Sequence, residues 1–262
     1  GFVLGTYNAT RLKMTNLFDR LHSAGGGGGL SPTGNGSGYD STQLVESMDS
    51  PANWFVAGKL ERDGRVLHIG FMAAGAPGKC IECIQWDDPG RILCPQTAIR
   101  ELSFDPQAAV LTSRPISEYA GLRNATLRDV RAIDMAPGSV TDLRLPPGAG
   151  AELDIVVEVA LPSRAEQVVL MGLDVLASPQ GQGGTRRATR ISLNVSAARP
   201  HDGVRVGNLS VHSSRGNATG LRVTSRLVQM LPGEATLDLR VLVDRSIVEV
   251  FAARGRAVVS TR

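Results

Sequence analysis

Glu82 and Asp88 stand close together, within Glu82-Cys83 and Trp86-Asp87-Asp88-Pro89-Gly90. Paired carboxyl groups serve acid–base and glycoside chemistry, in which a nucleophile and an acid/base are held about 5 Å apart in the retaining case. Such a pair works only on a scaffold that fixes both groups. The stretch from Ala73 to Pro95 is irregular, so these two carboxylates are read as a coincidence. Asp244 and Glu249 form a second pair. Asp244 suits a turn, and Glu249 sits mid-strand, where it accepts from Arg245 or from a neighbouring strand. That pair is read as structural. Cys80-x-x-Cys83 with Cys94 suggests a metal cluster, but tetrahedral zinc takes four ligands and the nearest histidine is His68, on a strand-like run. A disulfide or free thiols is the expected state. A redox CxxC would open a helix near a βαβ unit, which is missing. His22, His68, His201 and His212 are scattered, with no Ser or Cys nucleophile beside them. The glycine run after Ala24 lacks the lysine and helix of a phosphate loop. No catalytic residue, metal ligand or cofactor is assigned.

The elements that would position any site are strands. Leu237, Leu239, Val241 and Val243 alternate with Asp238, Arg240 and Leu242, the period of a half-buried strand. Asp244-Arg245-Ser246 breaks the run, Ile247 to Phe251 makes a second strand, and Arg254-Gly255-Arg256 turns into a third from Ala257. This meander is a unit of a β-sandwich. Similar runs occur at Ala151–Leu161, Val168–Leu176, Thr189–Val195, Gly203–Val211 and Leu221–Gln229, separated by Gly, Pro, Ser and Asn clusters. Nearer the start, Phe2 to Met14 reads as strand, turn and strand. Trp54–Leu60 and Arg65–Met72 flank Glu61-Arg62-Asp63-Gly64, a hairpin turn ending in Asp-Gly. Residues 24–41 are low complexity and read as a flexible loop. Ile116, Tyr119 and Leu122 fall on one face of a short helix spanning 116–123.

Composition narrows the class. The chain has 262 residues with 42% hydrophobic content, enough for a sizeable core, and its 30 Gly and 14 Pro fit a turn-rich fold. Its 28 basic and 25 acidic residues leave a mixed net charge of +3, and only 4% of residues are aromatic, so a nucleic-acid partner is not expected. No apolar run is long enough to span a membrane. Of eight asparagines, six lie in Asn-x-Ser/Thr acceptors: Asn8, Asn35, Asn124, Asn194, Asn208 and Asn217. Chance would give roughly one. This enrichment points to a glycoprotein of the secretory pathway, secreted or vacuolar.

The stretch DRSIVEVFAARGR closely resembles the D-R-S-x-x-E-x-F-x-x-x-G-R sequence in the C-terminal β-sandwich of glycoside hydrolase family 32, which contains invertases, fructanases and fructosyltransferases. A second likeness runs without a gap from Asp49 through Phe55 and Ala57 to Asp63-Gly64-Arg65 and Gly70-Phe71. It resembles the D-x-G-x-x-F-Y-A … D-x-G-R-R-I-L-I-G-W stretch of the last blade of that family's five-bladed propeller. Gln96–Leu102 resembles its P-R-E-L strand, and Val110–Arg123 its L-x-x-x-P-x-x-E-x-x-x-L-R connector.

The resemblance implies an all-β fold: an incomplete last propeller blade over 1–115, with insertions at 24–41 and 73–95, a connector at 116–123 and a C-terminally truncated β-sandwich over 124–262. It also implies activity on β-fructofuranosides such as sucrose or fructans, through an Asp nucleophile, a Glu acid/base and a third, stabilising Asp. In the family all three precede this blade, so they are expected upstream of Gly1, and the fragment alone is expected to be inactive. By resemblance Asp49, Phe55 and Phe71 contact sugar, Phe55 standing where the family has Tyr and Phe71 where it has Trp. Both departures remove a hydrogen-bond donor. They motivate an alternative in which the chain is a non-catalytic, glycosylated carbohydrate-binding or interaction module.

Overall fold

The computed structural model describes residues 3–8, 11–16, 55–72, 96–108, 110–162, 167–177, 188–198, 203–213, 222–245 and 247–261. Asp49, the cysteine cluster, Glu82, Asp88, Asn35 and Asn217 lie outside the described residues, as do both insertions.

The described chain is almost entirely antiparallel β. Strands β1 (Val3–Asn8) and β2 (Arg11–Asn16) form a two-stranded sheet. Strands β3 (Phe55–Arg62), β4 (Arg65–Met72), β5 (Arg100–Asp105) and β6 (Val110–Pro115) form a four-stranded sheet in chain order, the form of one propeller blade. The expected hairpin turn is present. Asp63 and Gly64 take φ of 53° and 73°, the left-handed pair of a type I′ turn, which suits the twist of β3 and β4.

The short helix expected over 116–123 is present as a 3-10 helix, Ser117–Leu122. Ile116 and Tyr119 are half-buried, but Leu122 is 76% exposed, so the expected three-residue apolar face does not form. Residues 123–151 contain no strand and are largely exposed.

The remaining strands are β7 (Glu152–Ala160), β8 (Val169–Val175), β9 (Thr189–Val195), β10 (Val206–Ser213), β11 (Arg222–Gln229), β12 (Thr236–Asp244), β13 (Ile247–Ala252) and β14 (Ala257–Thr261). They form two sheets, ordered β11-β10-β9-β8 and β14-β13-β12-β7. One core lies between them, with Ile191, Leu193, Leu209, Val228, Leu239 and Val250 all at 0% exposure. This is a β-sandwich.

Burial follows the alternation in β12, where Leu237, Leu239, Val241 and Val243 point inward. Strands β13 and β14 break that rule, because nearly every residue in them is buried. Val248, Val250, Ala252, Ala257 and Val259 enter the sandwich core. The intervening Glu249, Phe251, Val258 and Ser260 occupy the other face, against the blade. A strand covered on both faces loses the apolar–polar alternation, and in Ile247–Phe251 only Glu249 interrupts the apolar run.

Candidate functional site

The main buried polar cluster among the described residues lies where blade meets sandwich. Arg100 opens β5, opposite His68 of β4. Glu249 of β13 stands opposite Ser260 of β14. Arg100 is 0% exposed and Glu249 4%, a depth at which a charge must be paired and hydrogen-bonded. The Arg100 Nη2 donates to Glu249 Oε2 and, at 2.7 Å, to the Ser260 hydroxyl. Glu249 Oε1 accepts the backbone N–H of Ala98 at 2.5 Å. The guanidinium lies 5.2 Å from the centre of the Phe251 ring, a cation–π contact. His68 is held neutral: burial, then the nearby Arg100 charge, depress its pKa to about 3.

Backbone contacts extend the junction. Ser113 N–H donates to the Gly255 carbonyl at 2.9 Å, and Arg114 Nε to the Arg254 carbonyl at 2.5 Å. The turn Ala253-Arg254-Gly255 has three successive positive φ values, 51°, 56° and 80°. A Cβ on Gly255 would sit 2.3 Å from the Ser113 carbonyl oxygen, so only glycine permits this approach. On the blade's other side, Arg65 binds Glu101 of β5 and Glu118 of the connector. These bonds pull Glu118 down to about 2. The Tyr119 hydroxyl accepts the Ile99 N–H at 2.8 Å, pinning the connector to the residue just before β5. Asp154 of β7 receives Arg123 and Arg240. Burial alone would raise its pKa, but the two arginines together lower it.

This cluster is built to hold and not to react. Glu249 receives two donors, and its arginine lies against the Phe251 ring and is bonded through the same nitrogen to Ser260. The sequence reading that Glu249 is structural holds, and its partners are Arg100 and Ala98 rather than Arg245, which reaches Glu152 at 3.4 Å. Asp244 lies exposed at the end of β12. Among the described residues no group of three or more His, Cys, Asp or Glu is placed to hold a metal ion.

Of the residues expected to touch sugar, Phe55 opens β3 and Phe71 is next to last in β4. Phe55 pairs with Met72 and Phe71 with Val56, so both positions lie at one end of the blade on adjacent rungs. Adjacent rungs alternate in face, so the two positions do not share one. Sequence reasoning missed Arg100, His68 and Ser260. The signal was Glu249 itself: a carboxylate inside a run otherwise fit for a core implies a buried cation elsewhere.

A blade-like sheet locked to a β-sandwich defines an all-β protein in which the sandwich follows the blade. The sequence profile described as "Glycosyl hydrolases family 32 C terminal" matches residues 118–262, and the chain belongs to that family. Among solved structures it is similar to fructan 1-exohydrolase IIa from Cichorium intybus, with TM-score 0.71 and 18% identity, covering 99% of this chain and 50% of that one. A second structure of that exohydrolase, in complex with 1-kestose, gives TM-score 0.69, 18% identity and the same coverage. Exo-inulinase from Aspergillus awamori gives TM-score 0.52 at 15% identity, covering 86% of this chain and 42% of that one. The chain thus spans about half the length of these solved structures. No curated protein sequence matches it.

Proposed function

We propose that the chain is the C-terminal part of a β-fructofuranosidase-type glycoside hydrolase, which hydrolyses or transfers terminal β-D-fructofuranosyl groups of sucrose or fructans. The observation that carries this reading is the family match over the sandwich, joined to a preceding blade by the Arg100–Glu249 pair. The bond-breaking carboxylates belong to another part of the protein, and double displacement through a fructosyl-enzyme is the expected route. The end of the blade bearing Phe55 and Phe71, with Asp49 preceding it, contributes to the pocket rim. Aromatic faces there suit the C–H surfaces of a sugar. The sandwich braces the blade. The six Asn-x-Ser/Thr acceptors support passage through the secretory pathway, to the exterior or the vacuole.

The test is release of fructose from sucrose and inulin by the full-length protein, with residues 1–262 alone as the negative control. Turnover by the fragment that depended on Glu82 or Asp88 would overturn the placement of the chemistry. The Phe55 and Phe71 departures favour a second reading, a non-catalytic carbohydrate-binding or interaction module. Sugar binding by the full-length protein without turnover would select it.

A further inference from the structure

One cross-strand rung of the sheet β11-β10-β9-β8 reads Leu227, Asn208, Asn194, Leu170. Asn208 pairs with Leu227 on one side and Asn194 on the other, and Asn194 pairs with Leu170. Residues directly opposite one another point to the same face, and here that face is turned away from the core. The neighbouring positions Leu193, Val195, Leu209 and Val228 are fully buried on the inner side. Leu227 is 69% exposed and Leu170 77%. Val206 and Val168, at 37% and 59% exposed, extend the apolar surface beside the rung. Leu227 with Val206 and Leu170 with Val168 thus flank the two asparagines from either side, and exposed apolar surface of this kind marks a face that is covered or bound. The two residues at the centre of this rung are both sequon asparagines, and both are exposed.

We infer that Asn194 and Asn208 carry N-linked glycans and that these two side-by-side chains form a cover over the Leu170–Leu227 rung. The inference rests on the secretory reading above. Four strands in one register place the two attachment points about 5 Å apart between the Cα atoms. Branched sugar chains leaving the sheet from the middle of the rung have a leucine one strand away on either side within their reach. Glycans are bulky and solubilising, so they shield this face from self-association.

The test uses the full-length protein secreted from a eukaryotic host. Enzymatic deglycosylation in heavy-oxygen water marks each occupied asparagine by peptide mass. Asn124, exposed in the strandless segment after the connector, serves as internal control. The expected result is occupancy at Asn194 and Asn208, together with stronger binding of an apolar dye and self-association in the Asn194→Gln, Asn208→Gln double variant. Gln keeps the size and polarity of an outward position, and catalytic turnover of the variant verifies its folding. Occupied Asn124 with bare Asn194 and Asn208 overturns the inference and leaves the secretory reading standing. No glycan at any sequon overturns both. Occupied sites whose removal changes neither dye binding nor oligomeric state overturn the covering role.

Discussion

Arg100 of the blade and Glu249 of the sandwich form a buried ion pair between residues far apart in the chain, and Ser260 takes a second bond from the same guanidinium nitrogen. The pair contributes less by its own attraction than by the penalty for breaking it. Glu249→Leu leaves Arg100 buried without its carboxylate. Arg100→Met strands a carboxylate. Each is expected to cost about 3–5 kcal/mol of unfolding free energy, while Arg100→Met combined with Glu249→Leu recovers a large part of that. Denaturant titration of the singles and the double reads this as a coupling energy.

Gly255→Ala should be destabilising out of proportion to its size. The position combines a φ of 80° with a backbone oxygen 2.3 Å from the new methyl group. The strain alone amounts to about 1–3 kcal/mol, and relief requires separating Ser113 from Gly255. A fall in the thermal midpoint is expected, with little change for Gly64→Ala beyond its own turn strain, since nothing stands within 4 Å of Gly64.

Acid should loosen the junction through His68. Its folded pKa of about 3 lies below the ordinary 6.5, so between those values the unfolded chain binds the extra proton and the folded chain does not. Stability therefore falls as pH drops through this window, by at most about 1.4 kcal/mol per pH unit from this group. Unfolding free energy measured across the window should slope more steeply in the parent than in His68→Asn. Equal slopes would show that His68 does not titrate on unfolding.

The proposed pocket rim makes a gain-of-function prediction. Phe55→Tyr restores a hydroxyl where the family has one. One added hydrogen bond of about 1 kcal/mol corresponds to a rise of roughly fivefold in kcat/KM for sucrose or inulin. Fructose release by the full-length protein measures it, and an unchanged ratio would remove Phe55 from the rim.

The strands were legible because their physics is local. β9 was expected at Thr189–Val195 and is found there, and the meander of β12, β13 and β14 follows from the period of two broken by Asp244-Arg245 and Arg254-Gly255. The Asp63-Gly64 turn was legible because few residue pairs adopt two successive left-handed conformations. What was not legible depends on long-range pairing. Glu249 was visible as an anomaly, yet nothing near it in sequence names Arg100 as its partner. The helical connector was legible, but which of residues 116, 119 and 122 turn inward was not, because spacing alone does not place a short helix against its neighbours. Tertiary contact, here the Tyr119 hydroxyl on Ile99, decided which residues turn inward.

Strands β13 and β14 have one face in the sandwich core and the other against the blade. A hairpin hemmed in on both sides has little room to drift over evolutionary time. The sandwich of one such enzyme is therefore a poor transplant onto the blade of another unless its arginine, its glutamate and the glycine turn travel with it. Inheritance of the two modules as a single block is the natural outcome.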